Sequence, residues 1–471
     1  FFISILIPCL CHHQLCEFMG LNGISTQVMA VRRTNSHNFT VYILKRFAFA
    51  FILQFSFLLL IPDLNKVLHE QFSKTIHKYQ GIDIQDTWIR HYQDKLLDVY
   101  VFSAFWDDRI PTNSTIRVIA LVSGNATSLY CIVYSKTRKR ALEMKFINLN
   151  AYDVQYASLL ITCPYKKAWG VPEFIRIVGQ DDTSLQDHEA RTKVTMLRQN
   201  FNFPRPSIAN CYQPIHGDNL NFYQLYFHME LMKLFGFDKF IVYYDRDTVS
   251  AGFNSLLDYY VDEGTVIPVP WKLFYYPRHI SDKINVWGQF NQVADCALRF
   301  MNDFDYIFNL DLDELAIPNN LGSWKDVLNN IWNGSNSISH FLISNSYAVL
   351  PRMEANSEEE FLDGLKGKDT FFRETCSGVN IDKYVLMPSR ITWCYVHEVL
   401  ENFEGTHGMR MEPNIGIRYH LKPGDVHIAT CPERNMTDPS FRRSIKLLTP
   451  RFRSLCERLY LDTSDCRIAL T

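Results

Sequence analysis

Three carboxylates close a short apolar run near the middle of the chain: Phe304-Asp305-Tyr306-Ile307-Phe308-Asn309-Leu310-Asp311-Leu312-Asp313-Glu314. Tyr306-Ile307-Phe308 reads as a core strand. Side chains of an extended backbone alternate, so Asp311 and Asp313 are expected on one side and Leu312 on the other. Acids crowded at a strand end repel one another and lose hydration, a cost that a bound cation offsets. Hard oxygen ligands suit Mn²⁺ or Mg²⁺, and such ions keep positions open for substrate phosphates. The chemistry expected of Asp311 and Asp313 is therefore capture of a metal-bound diphosphate, with Glu314 orienting waters or a neighbouring ligand. The same residues also fit a strand followed by a plain acidic turn, since Asp-x-Asp is common by chance.

The elements that would carry such a site are visible as rhythm. Residues 220–235 place apolar side chains at helical spacing, and Gly236 follows as a stop. Residues 239–244 read as a strand ending at Asp245, 252–263 as a second helix, 266–269 as a strand, and 285–302 as a helix feeding the acidic strand. Strands alternating with helices predict an α/β fold with a mostly parallel central sheet, whose ligands lie outside the strand carboxyl ends. Ahead of it, residues 99–105, 116–122, 129–134, 157–162 and 174–178 are strand-like runs punctuated by Asn, Gly and Pro. They predict a small β-rich domain over 98–200, with the α/β domain over 205–471.

The 471 residues allow two or three domains, and 47% hydrophobic with 21% charged residues are globular values. Lys and Arg total 48 against 50 Asp and Glu, a net charge of -2, so there is no electrostatic case for a nucleic-acid partner. Lys45-Arg46 precedes an apolar stretch at 47–62 that reads as an uncleaved membrane anchor, short for a span. Its basic flank puts the N-terminus in the cytoplasm and the remainder in the lumen, and short spans suit early secretory membranes. Residues 1–46 read as a cytoplasmic tail or a gene-model artefact, and 63–97 as a polar, partly helical stalk. Sequons at Asn113, Asn125, Asn333 and Asn435 lie beyond the anchor. So do cysteines 131, 163, 211, 296, 376, 394, 431, 456 and 466, in no metal-type spacing. Disulfides are the natural reading in an oxidising compartment; the odd number leaves a thiol over, and the connectivity stays open.

An ordered set of segments then carries a resemblance. They are Phe102-Ser-Ala-Phe-Trp-Asp-Asp-Arg109, Asn210-Cys-Tyr-Gln-Pro-Ile215, Glu230 with Leu234-Phe-Gly-Phe237, Tyr243-Tyr244 and Pro270-Trp271. Gly288-Gln289 through Asp295-Cys296, Asp311-Leu-Asp-Glu314 with Pro318, Lys383-Tyr-Val-Leu-Met-Pro388 through Val396-His397, and Arg418-Tyr-His420 follow. Together they are similar to glycosyltransferase family 92 of the nematode type, the domain once called DUF23. The resemblance implies a GT-A fold, a UDP-sugar donor with galactose as the expected sugar, and Mn²⁺ or Mg²⁺. It further implies inversion at the anomeric carbon, a glycan acceptor such as fucose of an N-glycan core, and residence in the Golgi as a type II membrane protein.

It also implies roles. Asp311 and Asp313 match the metal-bridging pair, with Asp311 also facing the donor, and His397 is the expected third ligand with His420 as the alternate. Tyr244, Asp245, Gln289 and Asp295 are expected on the donor side, although the last two lie six apart on a helix and so cannot both point there. Trp271 could contact sugar or anchor the core. Arg418 and Lys422 could offset diphosphate charge. Inversion needs a general base. Glu354, Glu358, Glu359, Glu360, Asp363, Asp369, Glu374 and Asp382 are available, and Glu374 has the most site-like setting. A different class of function is a catalytically inactive lumenal glycan-binding protein of the same fold. A soluble metallohydrolase would need histidines beside the acids, in patterns the chain lacks.

Overall fold

Strand β1 (Ile89–Gln93) pairs antiparallel with the ten-residue β2 (Asp98–Asp107), almost all of which is buried. The structure is a computed structural model. It describes residues 87–110, 114–136, 138–149, 154–180, 190–197, 203–216, 222–273, 283–319, 322–332, 335–350, 371–372 and 382–423. The expected tail, the anchor at 47–62, most of the stalk, Glu374 and the sequons at Asn113, Asn333 and Asn435 lie outside these residues. Among the described residues no helix is long and apolar enough to cross a membrane.

After β2 come β3 (Thr115–Ser123), β4 (Leu129–Ser135), β5 (Lys139–Glu143) and β6 (Lys145–Asn148). Strands β7 (Ala157–Pro164), β8 (Pro172–Gly179) and β9 (Thr192–Met196) complete a nine-stranded sheet, ordered β5-β4-β8-β9-β2-β3-β7-β6 with β1 on β2. The sheet curls, because Cys131, Val133, Ile175 and Ile177 share one core with Val118, Ala120, Leu159 and Ile161. The other faces of β2 and β3 are also apolar. Phe102, Phe105, Ile119 and Leu121 join a second core with the α/β region. Burial on both faces explains why these strands read as continuous apolar runs rather than as alternation.

The α/β region begins with β10 (Ile208–Ile215), α1 (Phe222–Leu234), β11 (Lys239–Tyr244), α2 (Ala251–Glu263) and β12 (Val266–Pro270). Ser250 caps α2 and Gly264 ends it in the left-handed region, at φ 80°. Helix α3 (Gln289–Arg299) leads to β13 (Tyr306–Phe308), β14 (Glu314–Pro318) and α4 (Trp324–Trp332). Then follow β15 (Ile338–Ile343), β16 (Asn345–Leu350), β17 (Phe371–Phe372), β18 (Lys383–Leu386), β19 (Ile391–Cys394), β20 (Val399–Asn402), β21 (His407–Arg410) and β22 (Gly416–Pro423). The main sheet is ordered β12-β11-β10-β13-β18-β15-β21. Strands β12, β11, β10 and β13 run parallel, whereas β18 is antiparallel to both its neighbours, so the sheet is mixed.

Every residue of α3 is buried, because the helix packs between the two sheets. Disulfides Cys131–Cys163 and Cys211–Cys296 tie β4 to β7 and β10 to α3, and Cys394 is a buried free thiol. The motif Phe102–Arg109 fastens the layers. Asp107 binds Arg109 (2.7 Å) and Arg117 (2.8 Å), and Arg109 reaches the carbonyls of Ser389 and Ile391 at 2.9 and 2.8 Å.

Two expectations are corrected. The segment at 285–302 is not one helix: Val286 and Trp287 are left-handed, at φ 43° and 55°, and α3 starts only at Gln289. Residues 89–93, expected in the stalk, form β1. His91 fastens that strand, its Nδ1 accepting from the Ile177 N–H (3.0 Å), which leaves Nε2–H to donate to Thr192 Oγ1 (2.9 Å). Burial, helped by Arg176, pulls the imidazole from 6.5 down to about 3. The folded state therefore binds fewer protons than the unfolded chain between those values. Stability from His91 is whole above about pH 6.5 and drains away as pH falls towards 3. Replacing His91 with Asn, which keeps the acceptor, should flatten the loss of urea stability across that window; equal slopes for both proteins would refute the assignment.

Candidate active site

In the order β12-β11-β10-β13 the chain steps outward from β10 to β12 and then returns to the other side of β10. The crevice outside the carboxyl ends of β10 and β13 is thus a topological switch point, the usual ligand position in such sheets. Asn210 of β10 builds its floor. The buried carboxamide accepts from the Leu310 N–H at 2.9 Å and donates to the Leu310 carbonyl at 3.1 Å. It thereby continues the sheet pairing where β13 has already stopped.

The acids themselves do not prolong the strand, which corrects the expectation that alternation aligns them. Asp311–Glu314 is a turn, closed by the Glu314 N–H donating to the Asp311 carbonyl at 3.0 Å. The Glu314 carboxylate accepts from the Asp311 N–H, also at 3.0 Å. Leu312 is buried, whereas the side chains of Asp311 and Asp313 keep 18% and 29% of their surface open. The pair is therefore accessible, but through a turn held by Glu314.

Glu314 is buried and anchors the turn. Arg418 Nη1 lies 2.5 Å from its Oε1 and Lys383 Nζ 3.4 Å from its Oε2. Burial pushes the carboxyl up, but Arg418 and Lys383 outweigh it and hold Glu314 well below the usual range. Lys383, itself fully buried, also donates to Asp311 Oδ2 at 3.1 Å. Asp311 moves the opposite way. Burial pushes it up, and the neighbouring Glu314 and Asp313 carboxylates outweigh part of the relief that Lys383 gives.

Gln289, the first residue of α3, donates to Asp311 Oδ1 at 3.1 Å and to Gln213 Oε1 at 3.3 Å, so it holds the acid from the β10 side. Asp295 does not reach the crevice, contrary to its expected donor role. It is fully buried, and its oxygens are taken by Ser103, Tyr243 and both arms of Arg299. Tyr244 is likewise buried, with its hydroxyl beside Arg246, so its ring is not presented to a donor. Asp245 is half-buried at the end of β11, where its carboxylate accepts from the Asp247 N–H at 3.2 Å. Two strand spacings put the end of β11 roughly 10 Å from that of β13. Trp271 is a core anchor, packed on Trp88, Phe102 and Tyr243. Arg418 is spent on Glu314 and is not free for a diphosphate; nothing is described of the Lys422 side chain.

The two histidines differ in what they can offer. His397 Nδ1 lies 3.0 Å from the Asp382 carbonyl, which can only accept, so Nδ1 carries the proton and Nε2 the lone pair. Burial lowers this imidazole to about 4, keeping it neutral. His420 lies opposite Glu314 on β22, stacks on Tyr347, and puts Nε2 3.0 Å from Asp313 Oδ2. Its Nε2–H is therefore committed to orienting Asp313. Among the described residues, no three His, Cys, Asp or Glu side chains converge closely enough to cage a metal ion.

Four further residues build the crevice without being evident as site residues in the sequence. Asn210 and Lys383 have been described. His228 on α1 accepts from the Tyr212 hydroxyl and donates to the Glu314 carbonyl at 2.7 Å. Asn309 donates to the Val396 carbonyl at 3.2 Å, tying the acidic turn to the segment that carries His397. Asn210, Tyr212 and Lys383 do fall inside segments that the family resemblance uses, and that was the available signal.

The sequence model of glycosyltransferase family 92 matches residues 207–449, about half of the chain. The match is to the family as a whole and ties the chain to no group of organisms. It begins at Ser207, so the latch motif Phe102–Arg109 lies outside it. No individually curated protein matches the chain.

Removing the charge of Glu314 leaves Arg418 and Lys383 buried without it. Glu314→Gln should therefore cost about 3–5 kcal/mol of unfolding free energy. Asp313→Asn, at a half-open position, should cost under about 1 kcal/mol. Urea denaturation of the two variants tests this, and similar losses would show that Glu314 does not anchor the turn.

Proposed function

The chain belongs to glycosyltransferase family 92, and on that premise we propose that it is a metal-dependent, inverting hexosyltransferase of GT-A type. Family membership makes it a transferase with a sugar donor and an acceptor. We propose a UDP-sugar, with galactose as the sugar, and a glycan acceptor such as fucose of an N-glycan core. The observation that carries the reading is the Asp311–Asp313 pair, left partly exposed at the switch point while the adjoining Glu314 is locked by two buried cations.

The donor set fits Mn²⁺ or Mg²⁺. Such ions are commonly held by one or two carboxylates plus substrate phosphates rather than by a full protein cage. Asp311 and Asp313 would hold the ion, and the lone pair on His397 Nε2 makes that residue the better third candidate than His420. When bound, the ion would supply Lewis-acid stabilisation of the departing nucleoside diphosphate. The chain's own groups do the rest. Gln289 and Lys383 fix the two oxygens of Asp311, and His420 fixes Asp313. Asp245, at the same edge of the sheet, is the remaining donor-side candidate for the nucleoside. Glu374 is proposed as the base that accepts the proton of the acceptor hydroxyl.

Two disulfides support an oxidising, lumenal setting. We propose a type II Golgi protein anchored by residues 47–62. One observation favours a second reading. The Lys383 ammonium already lies on Asp311 Oδ2, as it could in an inactive glycan-binding protein of the same fold.

UDP release from UDP-galactose, followed with and without Mn²⁺ and a fucosylated glycan, separates the two. The enzyme should release UDP only with metal. Asp313→Asn should lower turnover on the order of a thousand-fold, about 4 kcal/mol of transition-state stabilisation. Glycan binding without metal-dependent release would establish the inactive reading instead.

A further inference from the structure

The turn between β3 and β4 carries chemistry that sugar transfer does not use. Gly124 adopts φ 98° there, and a side chain on it would collide with the Leu96 carbonyl, so this turn lies directly against the one between β1 and β2. Asn125 follows, exposed, and caps a short turn of helix at Ala126–Ser128. Its Oδ1 accepts from the Thr127 N–H at 3.0 Å and from the Thr127 hydroxyl at 2.8 Å. A backbone N–H can only donate, so the inward atom of the carboxamide is its oxygen. Nδ2 therefore faces outward, with no hydrogen-bond partner among the described residues. Ala126 is buried and anchors the turn, while Leu96 beside it is 85% exposed, so the surface around Asn125 is open.

The geometry points to Asn125 as an N-glycosylation site, the acceptor of a preassembled oligosaccharide carried on a lipid diphosphate. The inference rests on the lumenal placement proposed above. In the transfer, Nδ2 forms a bond to the anomeric carbon of the first sugar and the anomeric C–O bond breaks. The lipid diphosphate leaves with the electron pair, and Nδ2 gives up one proton. Asn125-Ala126-Thr127 meets the sequence requirement. The folded turn meets a separate one, since a bulky glycan at this amide displaces no packed side chain.

The test is expression of the full chain through a eukaryotic secretory pathway, release of glycans by peptide-N-glycosidase in heavy-oxygen water, and mass spectrometry of the peptides. The Asn125 peptide should carry the heavy-oxygen aspartate tag. Asn125→Gln and Thr127→Ala should each remove one glycan's worth of mass from the intact protein. Glycan at Asn113, Asn333 or Asn435 with Asn125 unmodified would overturn this inference alone. A chain bearing no glycan at any site would overturn it together with the lumenal placement.

Discussion

The crevice depends on one buried ionic knot. Glu314, Arg418 and Lys383 are all withdrawn from water, and each would be costly there by itself. They come from three different strands, β14, β22 and β18, so the knot exists only when the main sheet and the separate sheet ordered β14-β22-β16-β17 are both assembled. Its consequence is local and specific. With its carboxylate pinned from two sides, Glu314 still accepts from the Asp311 N–H, and that bond forces the backbone to turn. Two acids that would otherwise trail off a strand are instead held at its end, partly open to water.

A second constraint works at longer range. Helix α3 has no exposed face, and three of its polar residues are held by partners from elsewhere in the protein. Gln289 finds Asp311 and Gln213, and Asn291 donates to the Ala120 carbonyl. Asp295 pairs with Arg299 in the same helix and with Ser103 and Tyr243 from the two flanking sheets. The helix is thereby locked in rotation as well as depth, which is what gives Gln289 a fixed bearing on Asp311. The β-rich sheet contributes to the site through this helix, even though the family match begins after that sheet ends.

Much of the framework was legible in the sequence, because periodicity reports burial and burial dictates these strands and helices. The strand-like runs before residue 180 fall within β2, β3, β4, β7 and β8, and the runs at 239–244 and 266–269 fall within β11 and β12. What periodicity does not report is the identity of a partner. Asp295 and Gln289 look equally like donor ligands on a helix near the acids. Only the fold reveals that Ser103, 192 residues away, fills one oxygen of Asp295. The same holds for Lys383 and Arg418, which lie 72 and 104 residues from the acids they neutralise. Strand β1 escaped for a related reason. It is polar and short, and its stability as a strand comes from His91 and its partners on β8 and β9 rather than from its own pattern.

The inventory of charge in the crevice bears on how it could work. Among the described residues Asp311, Asp313 and Glu314 face Lys383 and Arg418, three carboxylates against two cations, with His420 hydrogen-bonded to Asp313. The excess negative charge is not spread evenly. Glu314 takes the closest cation contact, Asp313 is hydrogen-bonded by an imidazole, and Asp311 is left with a carboxyl that burial and its acidic neighbours push up despite Lys383. A site holding one surplus negative charge next to a lysine is unfavourable ground for a bare diphosphate, because the acids repel it more than one shared ammonium attracts it. The metal-bound diphosphate proposed above would meet a better balance, since its ion would offset that surplus. On that reading the anchored turn and the surplus beside it have one origin, since Glu314 pairs with Arg418 and shares Lys383 with Asp311.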